Sequence, residues 1–491
     1  MKYSRILRLY FMLMATSAIL GAQAQQPFDL DTNFRSAITE RNVNSLLLEP
    51  DGKLVISGRM RFPEFPLSDR LLARLDVNGA LDLSFNTSNL GGGKLTPWNG
   101  AFYVGTAQTV RRILPGGTQD PTFIEMNLGP YFSSGQGGDY HVYPDGRVLM
   151  TGVHVLSDSI RGFEGFHSLV WFSNTGYLDT TATHRKCDGS IDFIHPLPDG
   201  KFLLSGIFTT YEGQPAGRIF RVHPDGGLDT SFSTTIFWGQ AYGCHHLDDG
   251  RILAAGRFQI NGDPDTLHLI RLMPNGTLDP TFNNHLSFEI DTLDGVSATV
   301  TAVHPLGDGR IALLGGFDRV GGLVRRGLVL TDTAGQLLPT ALGGIGSGTY
   351  TYMNFTYGSI RDMVPAPDGG YYIHGSFVGY DDGTVNDSTQ RFVSRLYGLD
   401  VGVREVEKPL AVQVVPNPST GPVRVELPEA IGPAMLQVVD AQGRVVRVQR
   451  VASRPAVLDL TGQAPGVYAV RVRTEAGRSG HARIVLQPGG R

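Results

Sequence analysis

Short apolar runs separated by tight turn signals cover most of the chain. The clearest stretch spans residues 191–232, where apolar runs meet at Asp199-Gly200 and again at Asp225-Gly226. Asp-Gly between runs rich in β-branched and aromatic residues is a strong signal for a β-hairpin. The pattern therefore predicts four short antiparallel strands in this stretch.

The first of these turns recurs along the chain at spacings of 48, 46, 54, 50, 59 and 60 residues. Each turn precedes an apolar strand that ends near a glycine, as in KLVISGRM from Lys53 and RILAAGRF from Arg251. A period of about 40 to 60 residues with four strands per unit is typical of propeller blades, which bury their faces by stacking. We therefore expect an all-β protein containing a seven-bladed β-propeller of four-stranded blades over residues 25–400. The turns stand at Asp51-Gly52, Asn99-Gly100, Asp145-Gly146, Asp199-Gly200, Asp249-Gly250, Asp308-Gly309 and Asp368-Gly369.

A second motif, Leu-Asp-x-Ser or Thr-Phe, closes most of the units. Complete copies stand at 81–85, 228–232 and 278–282, a variant at 119–123, and weaker forms at 178–179 and 337–338. The seventh unit lacks the motif, but a copy stands near the N-terminus at 30–34. This offset predicts that the N-terminal segment supplies the last strand of blade seven and closes the ring, which removes exposed sheet edges. An open β-solenoid is the alternative, although it should not need a displaced terminal strand.

With the sequence PDGK or PDGR followed by LDxSF, the chain resembles the delta-60 repeat family, β-propellers of unknown function in secreted bacterial proteins. The resemblance covers about residues 28–400 and implies a repeat scaffold without a known activity. Two places depart from the repeat: Trp98-Asn-Gly-Ala101 replaces the usual turn, and residues 335–360 contain an insertion rich in Gly, Thr and Tyr. Because loops on a rigid scaffold often carry binding, we expect a function specific to this protein at such departures.

The N-terminus has the layout of a secretory signal peptide over residues 1–24. Three basic residues precede an apolar run from 9 to 20, and Ala22-Gln23-Ala24 follows, so we expect cleavage between Ala24 and Gln25. An uncleaved membrane anchor is the weaker alternative, because the run falls short of the roughly 20 residues that a span needs. We expect no transmembrane span in the mature chain.

After a charged linker at 401–410, residues 411–491 alternate valine with polar residues, which predicts a small Ig-like antiparallel β-sandwich. The motifs PNPSTG, VDAQGRVV and APGVYAVRV resemble, in that order, a type A C-terminal sorting domain of the type IX secretion system. The resemblance implies export by the type IX machinery, removal of the domain near the linker, and attachment to surface lipopolysaccharide or release to the medium. On this resemblance, the sorting motif consists of Pro416, Asn417, Pro418, Gly421, Gly443, Gly466 and Tyr468.

The distribution of charge along the chain narrows the range of binding partners. The full chain has a net charge of −4, and residues 411–491 contain ten arginines, no lysine and five acidic residues. With three further basic residues in 1–24, residues 25–410 carry a net charge of −12, which argues against nucleic acid or an anionic membrane as the partner.

Cys187 and Cys244 stand at non-equivalent positions of neighbouring repeats, so a disulfide is possible and not implied.

Four histidines are the leading candidates for ligand binding. Each stands four residues before its hairpin aspartate, in four consecutive units, so they should occupy equivalent places on the first strand. First strands line the channel of a propeller, and imidazoles pointing inward would form an arc able to hold a metal or an anion. The interpretation that we favour is duplication of a residue that each unit satisfies locally by a backbone hydrogen bond. The four are His141, His195, His245 and His304.

Acidic residues recur in the turns. Aspartate in a turn normally accepts a hydrogen bond from its own backbone two residues on, so we interpret the closing-motif aspartates as folding devices rather than Ca²⁺ ligands. These are Asp31, Asp82, Asp229 and Asp279. Asp263-Pro-Asp265 and Asp381-Asp382 are acidic loop tips that could join a cation site.

The sequence contains no zinc-protease, paired-cysteine, nucleophile-elbow or phosphate-loop motif. The Gly-rich run at 343–348 is predicted to be a flexible loop. We therefore expect no catalytic residue, cofactor or metal, and a monomeric secreted or cell-surface binding or adhesion protein whose ligand is an extracellular glycan or protein. The alternatives are an extracellular glycan-cleaving hydrolase or lyase, and a structural surface-coat component. Aromatic residues suited either to a sugar surface or to packing are Trp238, Tyr350, Tyr352, Phe355, Tyr357, Tyr371 and Tyr372.

Overall fold

The computed structural model describes residues 25–87, 89–290, 297–353, 355–399, 412–427, 434–440, 444–451, 456–474 and 479–488. Its contacts separate a compact unit at Gln25–Val401 from a second one that includes Gly402–Arg491. The predicted signal peptide at 1–24 and the linker at 401–410 lie outside the described residues. Within the described chain, no helix has the length and apolar character needed to cross a membrane.

The first unit consists, in its described part, of seven antiparallel modules, each built on three strands in sequential order. Modules six and seven are joined into one sheet by the pairing of Gly316 with Ser359. Module one contains β1 (Glu40–Leu48), β2 (Leu54–Phe62) and β3 (Phe65–Leu75); module two contains β4 (Leu95–Trp98), β5 (Ala101–Gly105) and β6 (Val110–Ile113). After a 3₁₀ helix at Met126–Leu128, module three contains β7 (Phe132–Val142), β8 (Val148–Asp158) and β9 (Phe163–Phe172). Module four contains β10 (Ser190–Pro196), β11 (Phe202–Ile207), the hairpin β12 (Thr210–Tyr211) and β13 (Gln214–Pro215), and β14 (Ile219–Val222).

The later modules carry more additions. Module five contains β15 (Ile236–His246), β16 (Ile252–Ile260) and β17 (Leu267–Leu272). Module six contains β18 (Phe288–Glu289), β19 (Thr299–Pro305), β20 (Ile311–Gly316), β21 (Arg319–Val320), β22 (Leu323–Val324) and β23 (Leu328–Thr331), of which β18, β21 and β22 form a small separate sheet. The short strands β24 (Gly346–Ser347), β25 (Tyr350–Tyr352) and β26 (Phe355–Tyr357) precede module seven, which contains β27 (Ser359–Pro365), β28 (Tyr371–Asp381) and β29 (Asn386–Leu396).

The predicted fourth strand of each unit is reduced to a single paired residue. In module one, Leu75 at the end of β3 pairs with Leu81, and the equivalent pairs are Ile113 with Gln119, Phe172 with Leu178, Val222 with Leu228, Leu272 with Leu278, and Thr331 with Leu337. Pairing stops because the next residue, Asp82 in module one, turns the chain by accepting a hydrogen bond from the Ser84 N–H. In module seven the pair is Leu30 with Leu396, so the N-terminal segment takes the place of the missing closing motif.

Six of the first strands carry a register irregularity directly beside a second-strand glycine. Register shifts fall between Val43 and Ser45 in β1, and at the matching places in β7, β10, β15, β19 and β27. A Cβ atom on Gly206 or Gly315 would lie well under 3.0 Å from a first-strand carbonyl oxygen. The glycine that ends each second-strand pattern therefore permits close backbone approach at the bulge.

Buried apolar side chains fill the spaces between successive modules. On β10, Ile194 packs against Leu149 of module three, whereas Phe193 packs towards Ala254 of module five. Modules one and seven share a core in the same way, with Phe34 and Phe392 among its members. Each module therefore gains its core from its neighbours, and the first module is a neighbour of the last.

The glycine-rich run at 343–348 is held against module seven, so its prediction as a flexible loop is wrong. Gly346 and Ser347 pair with Asp381 and Tyr380 of β28. A Cβ on Gly344 would lie well under 3.0 Å from the Asp381 carbonyl oxygen. The glycines serve close packing of two backbones.

The second unit contains two antiparallel sheets around one core. One sheet has the order β30 (Gln413–Val415), β31 (Pro422–Glu426), β34 (Ala456–Asp459), and the other the order β33 (Val445–Val451), β32 (Ala434–Val439), β35 (Gly466–Thr474), β36 (Ser479–Leu486). Val423 and Val425 of the first sheet share a buried cluster with Leu436 and Val470 of the second. Alternate residues of each strand thus face the core, as the valine pattern predicted.

Candidate functional site

The four histidines occupy equivalent register positions on their first strands. They lie opposite Leu149, Leu203, Leu253 and Ala312, respectively, in the four consecutive modules three to six. All four side chains are half-buried. The ring of His141 contacts Phe202 of module four, with 5.2 Å between centroids. His304 reaches module seven, where its Nε2 lies 2.6 Å from Oδ1 of Asp362. At these two positions the imidazole therefore lies at the seam with the next module.

Burial keeps several of these imidazoles neutral. It lowers the pKa of His141 to about 4, with a further contribution from the positive charge of Lys94. The pKa of His195 is also lowered to about 4, first by burial and then by the neighbouring His245. Burial and the nearby His304 lower the pKa of His245. Neutral imidazole is the form that ligates metals and that can both accept and donate one hydrogen bond.

A carboxylate lies at each end of the row of histidines. At one end, Nζ of Lys94 lies 2.9 Å from Oδ1 of Asp139, whose other oxygen accepts a hydrogen bond from the Ile194 N–H. At the other end, burial raises the pKa of Asp362, but the hydrogen bond with His304 outweighs it and the pKa is lowered. The arrangement offers imidazole nitrogens between two carboxylates. Binding of a metal or an anion there stays a prediction.

The closing-motif aspartates act as ionic clamps within the fold. In module four, Asp229 accepts hydrogen bonds from Nζ of Lys201 at 2.9 Å, Nε of Arg221 at 2.8 Å and the Ser231 N–H at 3.0 Å. These donors outweigh partial burial and hold the pKa of Asp229 well below its usual range. The same arrangement pairs Asp82 with Lys53 and Arg74, and Asp279 with Arg251 and Arg271. Saturation by protein donors supports the structural interpretation over a Ca²⁺ site.

Sequence reasoning missed the arginine of this clamp. Arg221 stands eight residues before Asp229, and arginine recurs at that offset as Arg74 before Asp82 and Arg271 before Asp279. Its NH1 group donates to the Pro274 carbonyl of the next module at 3.0 Å, and its guanidinium lies over the ring of Phe232. The fixed offset could have revealed the pair, although not the bond to the next module.

The hairpin aspartates and the acidic loop at 381–382 also serve the backbone. Oδ1 of Asp199 accepts from the Lys201 N–H, as the turn interpretation predicts. Asp382 accepts from the Leu30 N–H at 2.7 Å through one oxygen and from the Thr384 N–H through the other. The loop thus anchors the N-terminal segment.

Among the described residues, Asp263, Asp265 and His285 bring three potential metal-ligand atoms within 4.8 Å of one another. The Nδ1 atom of His285 lies 3.1 Å from Oδ2 of Asp265. Asp265 and His285 are exposed, and a hydrogen bond accounts for their proximity.

Most of the aromatic candidates take part in packing. Tyr371 stacks on Phe28, and Tyr372 packs edge-on against Phe34. Tyr350 packs edge-on against Phe392, and Arg41 lies over the ring of Tyr352. The side chains of Phe355 and Tyr357 lie outside the described set. Trp238 differs from the others because it is 42% exposed, with Arg257 over its ring at 5.1 Å.

The two cysteines are free thiols in this structure. Cys187 donates a hydrogen bond to the Gly189 carbonyl oxygen, and burial raises the pKa of Cys244 to about 12. The chain is therefore not cross-linked between modules four and five.

In the second unit, the PNPSTG motif fastens the first strand region to the last strand, β36. Asn417 donates to the Arg483 carbonyl at 2.7 Å and accepts from the Val485 N–H at 2.9 Å. Gly421 lies where a Cβ would meet Thr461, and Tyr468 donates its hydroxyl hydrogen to the Ala464 carbonyl just before Gly466. Pro416 and Pro418 flank Asn417, and Gly443 lies outside the described residues.

A polar cavity of about 440 Å³ opens between modules five and six, a feature that sequence reasoning did not find. Its lining includes Arg257, Thr266, His268, Glu289 and Ser297. These residues come from four separate stretches, at 257, 266–268, 289 and 297, and they meet only through the fold. No local motif marks such a site.

Comparison with protein families identifies both parts of the chain. The family model described as "Domain of unknown function (DUF5122) beta-propeller" matches residues 49–85, 197–232 and 247–282. The model described as "Secretion system C-terminal sorting domain" matches residues 413–487. Both resemblances are confirmed: the chain carries β-propeller repeats and a type IX sorting domain. The protein is therefore exported to the cell surface or the medium, and its C-terminal domain addresses it to the secretion machinery.

No curated protein matches the chain. Among solved structures, the extracellular domain of the hybrid two-component system BT4673 from B. thetaiotaomicron aligns at 11% identity with a TM-score of 0.41, covering 93% of this chain. This chain spans 60% of the length of that domain. The AfRom2 CNH domain aligns at 7% identity with a TM-score of 0.27, over 81% of this chain and 94% of that one. Dimeric latent PorU from Porphyromonas gingivalis aligns at 12% identity with a TM-score of 0.14, over 76% and 35%. These likenesses are too low to support a conclusion.

Proposed function

We propose that this exported protein, built from DUF5122 β-propeller repeats and ended by a type IX sorting domain, is a non-catalytic binding or adhesion protein. The observation that carries the proposal is the polar cavity between modules five and six. Arg257 and His268 line it, and each has a buried nitrogen without a hydrogen-bond partner. Buried polar atoms left unpaired cost about 1 to 3 kcal/mol each, so a site that retains them is suited to receive a polar ligand.

The scaffold of this binding protein is a closed ring of seven blades, followed by an Ig-like sandwich. The pairing of Leu30 with Leu396 and the core shared by Phe34 and Phe392 support closure. A closed ring leaves no unpaired sheet face at the ends of the repeat array, which suits a protein exposed to the extracellular medium. The two sheets around one valine-rich core support the sandwich.

After sorting, the propeller is a monomer that is either attached to surface lipopolysaccharide or released. Cell fractionation followed by intact-mass and terminal-sequence analysis tests this part. A product that begins at Gln25 and ends within 401–410, with added heterogeneous mass on the surface, supports it. A full-length product held in the periplasm overturns it.

Binding is tested with the exported protein and a panel of extracellular polysaccharides and proteins. Saturable binding to one ligand class without cleavage supports the proposal. Release of new reducing or unsaturated ends shows an enzyme instead, and abundant surface deposition without any saturable ligand shows a coat component.

A glycan-cleaving hydrolase or lyase is the second candidate. It is favoured by one observation, the 2.6 Å contact between His304 and Asp362, since a carboxylate beside an imidazole is a common way to orient a general base. Substitution of His304 by Gln should abolish turnover in that case and leave binding at the module-five cavity unchanged.

A further inference from the structure

Arg257 of module five and Arg59 of module one hold the same place in their repeats, directly after the glycine of the second strand. Arg59 has a partner on the neighbouring strand, with its Nε 2.9 Å from Oδ2 of Asp69. Arg257 has no ion pair among the described residues, and its Nε is buried without a hydrogen bond. Among the described residues, module one thus supplies a carboxylate to this arginine and module five does not.

The strand register shows which residue replaces that carboxylate. Met60 pairs with Arg70 in module one, and its counterpart Phe258 pairs with Leu267 in module five. The residue before each partner is Asp69 in module one and Thr266 in module five. Thr266 therefore stands where Asp69 stands, and a neutral hydroxyl replaces the anion. The cavity opens at this place, with Thr266 and Arg257 in its lining.

A second side chain with an unpaired buried nitrogen faces the same cavity. His268 is only 7% exposed, it lines the cavity, and its Nδ1 has no hydrogen-bond partner. Its ring packs against Phe288 at 5.6 Å, and Arg257 lies over the ring of Trp238 at 5.1 Å. Both polar groups are thus fixed in orientation by aromatic neighbours, as in a pre-formed ligand site.

We propose that this cavity binds a sugar acid, a carbohydrate residue that carries a carboxylate, such as a uronic acid. The ligand carboxylate takes the place that Asp69 has in module one and pairs with Arg257. The sugar hydroxyls bind His268, Thr266 and Ser297, and Glu289 at the exposed rim accepts from a further hydroxyl. This inference rests on the proposed binding function and names its ligand class.

Three features favour a sugar acid over other anions. The internal counterpart of the ligand group is a carboxylate, which matches the planar guanidinium fork. Glu289 repels a phosphate dianion more strongly than a single carboxylate. The cavity has one cation, Arg257, beside several neutral hydrogen-bonding groups. This set matches a ligand that has one carboxylate beside several hydroxyl groups. An amino acid would instead require a carboxylate dedicated to its ammonium group, and Glu289 is exposed and therefore a weak partner.

The test is calorimetric titration of the exported protein with glucuronate, galacturonate and a short oligouronate. Glucose, inorganic phosphate and glutamate are the comparison ligands. We expect saturable binding of at least one uronate and no comparable binding of the three others. Equal binding of phosphate or glutamate would overturn the assignment to sugar acids. Comparing the affinities for the monomeric uronates and the oligouronate shows the source of the ligand. Tighter binding of the monomer indicates a free sugar acid, and tighter binding of the oligouronate indicates the end of a polysaccharide.

Three variants locate the binding site. Arg257→Gln should weaken uronate binding about tenfold or more, because a charge-assisted pair is lost. Thr266→Asp should abolish binding without lowering the thermal midpoint, because it supplies the internal carboxylate that module one already has. Arg59→Gln is the matched control and should leave binding unchanged. Uronate binding that survives both module-five substitutions would overturn the proposal.

The proposed function can fail separately from this inference. Saturable binding of a neutral polysaccharide that is insensitive to Arg257→Gln, without uronate binding, overturns the sugar-acid site and keeps the binding function. Turnover of a glycan overturns the binding function itself.

Discussion

The carboxylate of Asp31 lies 2.7 Å from the guanidinium of Arg395, and this pair joins the N-terminal segment to the third strand of module seven. In other modules, both partners of the same clamp belong to one repeat, as with Asp229 and Arg221. The clamp at the ends of the propeller chain is therefore a normal repeat contact made between distant parts of the sequence.

Removing this clamp should destabilise the propeller. Asp31 is 4% exposed, so Asp31→Ala should lower the free energy of unfolding by about 1 to 3 kcal/mol, through loss of the charged pair and of the turn bond to the Asn33 N–H. Asp31→Asn keeps an acceptor for the turn and should cost less. Chemical denaturation measures the free energy of unfolding of both variants. An equal decrease in Asp31→Ala and Asp31→Asn would show that the whole effect comes from loss of the negative charge.

The glycine beside each bulge should not tolerate a side chain. In Gly315→Ala the new methyl group would meet the Thr299 carbonyl oxygen well under 3.0 Å, so we expect a loss of about 1 to 3 kcal/mol or more. Gly307→Ala is the matched control in the same module, because nothing lies within 4 Å of its Cβ position. Thermal unfolding measures both, and similar midpoints for the two variants would contradict the packing role of Gly315.

Stability should fall with acid in two steps. His141 and His195 have folded pKa values of about 4 against 6.5 for an ordinary histidine, so the unfolded chain binds more protons between these values. Their contribution is present above pH 6.5 and is lost as pH falls towards 4. The clamped Asp229 has a lowered pKa, so its contribution is lost only as pH falls below the ordinary value of 3.8.

The first step can be assigned by substitution. His195→Gln removes one titrating group, so the variant should lose less thermal stability than the parent between about pH 7 and about pH 5. His223→Gln, on the turn before Asp225, is the comparison variant. An unchanged pH slope in His195→Gln would show that this imidazole is not the source of the acid sensitivity.

The side chain of Asn417 should matter for export. Its two hydrogen bonds fasten the PNPSTG motif to β36, and Asn417→Ala removes both. We expect the variant to be depleted from the medium and cell surface and to accumulate in the periplasm, as measured by immunoblotting of cell fractions. Thr420→Ala, at an exposed position of the same motif, should be exported normally. Normal export of Asn417→Ala would show that the two hydrogen bonds of Asn417 are not needed for recognition by the secretion machinery.

The repeat architecture could be read from local pattern because each hairpin is specified by adjacent residues. Asp199 and Gly200 define their turn without help from the rest of the chain. The closing motif was harder, because a single paired residue such as Leu228 replaces the expected strand. Periodicity alone does not distinguish a full strand from a single paired residue that is followed directly by a turn.

The cavity could not be predicted for a different reason. Arg257 and Thr266 become neighbours only after a bulge has shifted the register between β16 and β17. Arg59 and Arg257 look identical in the sequence, and only the cross-strand residue separates a paired arginine from an unpaired one. The histidines were placed at equivalent positions by their spacing, but spacing could not show that His304 faces Asp362.

The N-terminal segment has a consequence for synthesis. Leu30 and Asp31 are made before any of the repeats, yet their partners Leu396 and Arg395 are made at the end of the last repeat, in β29. A chain interrupted within the repeats therefore lacks the partners of its N-terminal segment, Arg395 and Leu396. It also lacks the sorting domain at residues 413–487. The residues that complete the scaffold and the domain that directs export are thus both made after the first six repeats.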